Sequence, residues 1–116
     1  MLKAILIAVP ALVAPLAASA QDVMSTLSGT WAEPGADCGN GDNQWVVLPG
    51  TLITPFDQCS YAVESAGGSE ATVAAKCLPR AGGDGYQTNF TFSMTSDASM
   101  TIAGQQLFKE LNRCPG

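Results

Sequence analysis

Histidine is absent from the 116 residues. Its absence removes the Ser-His-Asp and Cys-His arrangements and the common zinc hydrolase sites, which all use imidazole as base or ligand. Positive charge is scarce. Five Lys and Arg stand against ten Asp and Glu, for a net charge of −5. With no basic cluster, the chain is poorly suited to nucleic acid or to an anionic membrane surface. No phosphate-binding or dinucleotide fingerprint is present, since "AGGDG" at residues 81–85 lacks the lysine and the strand–helix setting. Ten acids leave paired carboxylates for glycoside hydrolysis available, but a chain this small has little room for both a core and a cleft. The expectation is a protein that is not an enzyme and carries no cofactor and no metal.

A long apolar run is also missing. The longest, residues 4–17, spans fourteen positions and is broken by Pro10 and Pro15. A bilayer needs about 20. Lys3 in front of this run and Ala18-Ser19-Ala20 behind it read as a secretory signal peptide, residues 1–20, cleaved after Ala20. The remaining residues, 21–116, fit a single domain with four basic and ten acidic residues, a net charge of −6, and no membrane span. The expected location is the periplasm or the extracellular space.

What is present is alternation. In "YQTNFTFSM", Tyr86, Thr88, Phe90, Phe92 and Met94 share one face, and Gln87, Asn89, Thr91 and Ser93 the other. That is a strand with one wet side, in an antiparallel sheet. A three-residue loop, Ser96 to Ala98, sets Met94 against Met100 and Phe92 against Ile102 in the following "SMTIAG" strand, which keeps the apolar faces together. "QWVVL" and "TLIT" flank Pro49-Gly50, and "SYAVE" and "EATVAAKCL" flank a glycine-bearing loop at residues 65–69. "GTWAE" comes first and "QLFKELNRC" last, although residues 107–112 resemble a helical turn, and the segment 22–27 reads as a brief helix or an extended arm. About eight short strands without a long helix predict an all-β fold, a small antiparallel closed barrel. An open sandwich is the alternative. The expected core is Tyr86, Phe90, Phe92, Met94, Met100 and Ile102, with Trp31, Val47, Ile53, Tyr61, Val63 and Val73 on the inner side.

Four cysteines, Cys38, Cys59, Cys77 and Cys114, are spaced 21, 18 and 37 residues apart. These gaps, without histidine, do not supply the close ligand pairs of a zinc site, so two disulfides are expected. "GADCGNGDNQW", residues 35–45, raises the question of calcium. Counted from Asp37, Gly39 and Gly41 occupy positions that need oxygen ligands. Counted from Asn40, Trp45 stands where glycine is required and no acid closes the loop. A turn held by a disulfide accounts for the same residues. Asn89-Phe90-Thr91 is a glycosylation triplet inside the alternating strand and is read as strand.

Gly29-Thr30-Trp31 on the first strand, with Arg113 on the last, resembles the lipocalin and calycin arrangement. There a G-x-W tryptophan closes one barrel end and an arginine of the last strand packs across it, so Trp31 and Arg113 are the implied barrel-closing pair. Within calycins the chain is most similar to the small periplasmic inhibitors of bacterial metalloproteases. That resemblance implies an N-terminal arm entering a protease cleft, placed here at Gln21, Asp22, Val23 and the residues up to Ser28. It also implies a bridge from Cys38 to Cys59, which leaves Cys77 for Cys114. The chain departs from the family in having that second cysteine pair, and Gln21 can cyclise and lose its amine.

A rival pairing comes from the hairpin centred near Gly67, which brings Cys59 almost opposite Cys77. Cys114 would then have to reach Cys38, although a simple meander puts those two at opposite ends. The sequential pairing is the expectation. Function is expected to be binding: a protein partner, most concretely an exported hydrolase, met through the 21–27 arm or through the loop carrying Asp37, Asn40 and Asp42. The alternatives are a barrel holding a small apolar ligand and a purely structural envelope protein with no partner.

Overall fold

The computed structural model describes residues 23–115. The expected leader, with Gln21 and Asp22, lies outside them. Eight strands follow one another around a closed antiparallel barrel: β1 (Gly29–Ala32), β2 (Gln44–Leu48), β3 (Thr51–Ile53), β4 (Asp57–Gly67), β5 (Glu70–Pro79), β6 (Tyr86–Ser96), β7 (Ser99–Ala103) and β8 (Phe108–Arg113). Every strand pairs with the next, and β8 returns to β1 through Trp31 opposite Arg113 and Ala32 opposite Asn112. Closure satisfies both edges of the sheet, which a short chain with an apolar inner face would otherwise expose.

Turn chemistry sets the register. Pro49-Gly50 joins β2 to β3, and Gly50 adopts φ 74° as the second residue of the turn. The β4–β5 hairpin is tighter than the expected five-residue loop. Gly67 pairs with Glu70, and only Gly68, at φ 61°, and Ser69 turn the chain. Between β6 and β7 the expected register is present, with Met94 opposite Met100 and Phe92 opposite Ile102. It arises through a two-residue turn, Asp97-Ala98, and a bulge at Thr95 rather than a three-residue loop. Residues 108–113 are strand, with no helical turn.

The interior is solid. Trp31, Trp45, Val47, Leu52, Val73, Phe92, Met100, Ile102 and Leu111 are fully buried, and Phe90 nearly so. Two expected core residues are not inside. Tyr86 is 43% exposed because it begins β6 at the barrel rim, and Val63 is 37% exposed. Val63 precedes a bulge in β4 and lies beyond Gln58–Ser60, the stretch that β3 covers. Ile53, Tyr61 and Met94 are half-buried. Residues 23–27 form one helical turn, with Val23 and Leu27 in the core. Among the described residues no helix is long and apolar enough to cross a membrane.

The disulfides correct the sequential pairing. They are Cys38–Cys114 and Cys59–Cys77. Cys59 and Cys77 are directly opposite on β4 and β5, with Cα atoms 4.0 Å apart. Cys38 reaches Cys114 because closure makes β1 and β8 neighbours. The Cys114 amide donates to the Thr30 carbonyl, and the loop after β1 brings Cys38 to a Cα distance of 5.7 Å. A meander laid flat separates these cysteines, and a barrel joins them. Two closed bridges fit an oxidising, exported environment.

The two bridges span 76 and 18 residues. In the chain-entropy model they contribute about 4.5 and about 3 kcal/mol. Replacing Cys38 and Cys114 together by Ser is therefore expected to lower unfolding free energy more than replacing Cys59 and Cys77. Urea denaturation of the two double variants measures the difference. The opposite order would show that packing around the buried Cys59–Cys77 pair outweighs loop closure.

Candidate functional site

The barrel has two unlike ends. One is capped by the 23–27 turn, which leaves a surface cavity of about 570 Å³ between that turn and the β4–β5 and β6–β7 hairpins. The Arg113 guanidinium lies 4.2 Å from the centroid of the Trp31 ring, so the structure brings this pair together. Its Nη1 donates to the Ser28 carbonyl at 3.1 Å, Nη2 to the Thr26 carbonyl at 2.6 Å and Nε to the Asp97 carbonyl at 3.2 Å. The Trp31 indole Nε1 donates to the Leu27 carbonyl at 2.9 Å. One arginine thus ties the 23–27 turn, the first strand and the β6–β7 hairpin together. Gly29 belongs to this lock for a geometric reason. Its φ is 131°, and a Cβ there would sit 3.3 Å from Arg113 Nη1, so a side chain would be strained in the backbone and crowd the guanidinium.

Val23 is only 6% exposed, and Leu27 is fully buried. These two residues of the expected arm are part of the capped end rather than a free tail. The loop between β1 and β2 is also largely occupied with itself. Asp37 Oδ1 accepts from the Gly39 amide at 2.8 Å, and Asn40 Oδ1 accepts from the Asp42 amide at 3.0 Å. The Gln44 side-chain amide donates to the Cys38 carbonyl, and Cys38 itself is bridged. Asp37 and Asn40 serve as turn formers here. Glu33, at the start of the loop, pairs with Lys109 at 3.2 Å. Among the described residues no group of three His, Cys, Asp or Glu side chains is placed to hold a metal.

The other end is open. It is framed by the loops after β1, β3, β5 and β7, and a cavity of about 320 Å³ lies in its mouth. Trp45 on β2, Phe56 in the β3–β4 loop, Asp57 at the start of β4, and Tyr86 and Phe90 on β6 line it, with Gln105 in the β7–β8 loop. Thr54 shapes the β3–β4 connection. Its hydroxyl accepts from the Phe56 and Asp57 amides at 3.1 and 2.9 Å. That turn leaves Phe56 72% exposed above the cavity. Gly104 lets the last loop close down, since a Cβ there would meet the Phe90 ring at 3.2 Å. Tyr86 donates its hydroxyl to Asp57 Oδ2 at 2.7 Å. Burial, and next the Asp57 carboxylate, push the Tyr86 phenol up to about 12. Trp45 is 2% exposed, and its Nε1–H is buried with no hydrogen-bond partner.

Sequence reasoning missed this mouth. Trp45 reads as one more residue of a strand, and only closure places it under the β3–β4 loop. A signal for Phe56 was present in "TPFDQ": a phenylalanine between proline and an acid, outside any alternating run. No family model, curated protein or solved structure matches the chain.

Two outcomes follow. Arg113→Ala should cost about 2–3 kcal/mol, for the ring contact and the carbonyl hydrogen bonds it loses. Arg113→Lys should recover less than half, because an ammonium cannot span three carbonyls and stack at once. Thermal or urea unfolding reads both, and full rescue by lysine would mean that charge alone matters.

In an ultraviolet alkaline titration, Tyr86 should ionise near 12. Asp57→Asn should lower that value but leave it above the ordinary 10, because burial is the larger cause. A phenol held above its unfolded value contributes stability that is complete below about pH 10. It is lost as pH rises towards 12, and Tyr86→Phe should remove that part of the alkaline loss. Tyr61, also pushed up by burial, leaves a remainder.

Proposed function

We propose that this chain is an exported, non-enzymatic binding protein of the periplasm or extracellular space that engages a protein partner with the open end of its barrel. In its most concrete form it inhibits a secreted or periplasmic hydrolase. The observation that carries the reading is the distribution of exposed apolar side chains. The three most exposed large apolar side chains, Phe56, Phe108 and Leu78 at 72%, 66% and 63%, all lie in strand ends or loops at the open end together with Tyr86, while the less exposed Leu48 and Val63 lie elsewhere. Large exposed aromatic and aliphatic side chains gathered at one end of a rigid scaffold suit docking.

The likeness to calycin inhibitors supports the class of activity, with a change of route. Val23 and Leu27 are packed into the capped end, so insertion of a 21–27 arm would require taking that end apart. The filled interior also speaks against a large apolar ligand deep in the barrel.

The test compares the mature chain with two variants against a panel of secreted proteases and lysozyme. One carries Phe56→Ser, Leu78→Ser and Phe108→Ser. The other begins at Val23. Stoichiometric inhibition should fall by at least about 100-fold in the triple variant, since each anchor is worth about 1–2 kcal/mol, and should persist in the shortened chain. Inhibition that survives the triple variant but is lost with the residues before Val23 would restore the arm route. No inhibition by the intact chain would remove the inhibitor reading.

A further inference from the structure

Of the eight aromatic residues in the chain, four line one cavity of about 320 Å³. Trp45, Phe56, Tyr86 and Phe90 come from three separate elements, so no local sequence pattern gathers them. The charged side chain that joins them is the carboxylate of Asp57, and no Lys or Arg lines the cavity. The buried Trp45 Nε1–H is a hydrogen-bond donor left without an acceptor.

Each feature restricts the ligand. An anion would meet ring faces and a carboxylate, both repulsive. A neutral hydrocarbon would fill space but leave the carboxylate facing an apolar surface. A bare divalent cation needs several oxygen ligands, and one carboxylate is present. An alkylated ammonium satisfies the rings and Asp57 together: its methyl groups pack on aromatic faces, its charge is drawn to their π-clouds, and the carboxylate balances it. The volume is at the small end for a ligand pocket, of about 300–1,000 Å³.

We propose that the open mouth of the barrel is a binding site for a small organic cation, an alkylated ammonium compound. The exposed Phe56 and Tyr86 rings flank the ammonium over a floor formed by the buried Trp45 and Phe90 rings, and Asp57 balances its charge. Tyr86, whose pKa is pushed up to about 12, stays a neutral phenol through the physiological range, so its hydroxyl keeps donating to Asp57 and holds that carboxylate at the rim. The site is distinct from the protein-docking reading, although Phe56 and Tyr86 belong to both.

The chain carries its own spectroscopic control. Its two tryptophans sit in opposite states, Trp31 Nε1–H bonded to the Leu27 carbonyl in the capped end and Trp45 Nε1–H unpaired beside the mouth. Choline chloride, titrated into nitrogen-15-labelled protein, should shift the Trp45 indole signal saturably and leave the Trp31 signal in place. The neutral isostere 3,3-dimethylbutan-1-ol should bind at least 10-fold more weakly. Phe56→Ala, at an exposed loop position, and Asp57→Asn should each weaken choline by about 5- to 10-fold, with the Trp31 signal confirming that both variants are folded. A flat choline titration overturns the proposal. Equal affinity for the neutral isostere also overturns it, and would make the mouth a general apolar pocket. Neither result bears on hydrolase inhibition, which is read separately with no choline present.

Discussion

Arg113 on Trp31 is the contact on which the rest of the barrel depends. The ring and the guanidinium belong to the first and last strands, so they can meet only when the sheet has closed. Once they meet, the same guanidinium takes carbonyls from the 23–27 turn, from Ser28 and from the β6–β7 hairpin. A single charged head, partly exposed, thereby joins segments 87 residues apart in sequence. Planarity and five donors make arginine suited to this, whereas an ammonium, whose three donors share one nitrogen, cannot reach these separate carbonyls and stack on the ring at once. The Cys38–Cys114 bridge clasps the same seam covalently. Closure therefore has a stacking contact, a ladder and a disulfide acting on one junction.

Capping one end has a consequence for the other. Val23 and Leu27 cap the interior from below, and Trp31 and Trp45, opposite one another on β1 and β2, fill its middle. An eight-stranded barrel has room for side chains or for one small ligand, and here the side chains occupy it. The most exposed apolar side chains are thus at the rim, where a loop carries Phe56 and strand ends carry Leu78, Tyr86 and Phe108. The proposed hydrolase inhibition through this rim and the proposed cation binding within its mouth would both use the division between a rigid base and variable loops.

Much of the fold was legible in the residues. The alternation from Tyr86 to Met94 determined a strand with one buried face, and matching that face to Met100 and Ile102 determined the register across the hairpin. Pro49-Gly50 determined a turn. These are local or nearest-neighbour properties, in which period, turn chemistry and a single pairing rule suffice. The detail of the loops was less legible, because a bulge at Thr95 with a two-residue turn and a three-residue loop give the same register.

Tertiary structure alone decided the rest. Cys38 and Cys114 have no local reason to pair. They are adjacent because closing a cylinder makes its first and last strands neighbours, which a linear reading of the meander reverses. Tyr86 and Val63 belong by period to the buried face, yet the rim and the short reach of β3 leave them wet. The mouth is the clearest case. Trp45, Phe56, Tyr86 and Phe90 are separated by up to 45 residues, and nothing in their spacing relates them. They converge because strand stagger and loop length place three elements around one opening. The sequence by itself determined an all-β chain with two disulfides, because alternation, turn chemistry and cysteine spacing are properties of the chain itself. The site belongs to the closed barrel, because only there do distant side chains share a surface.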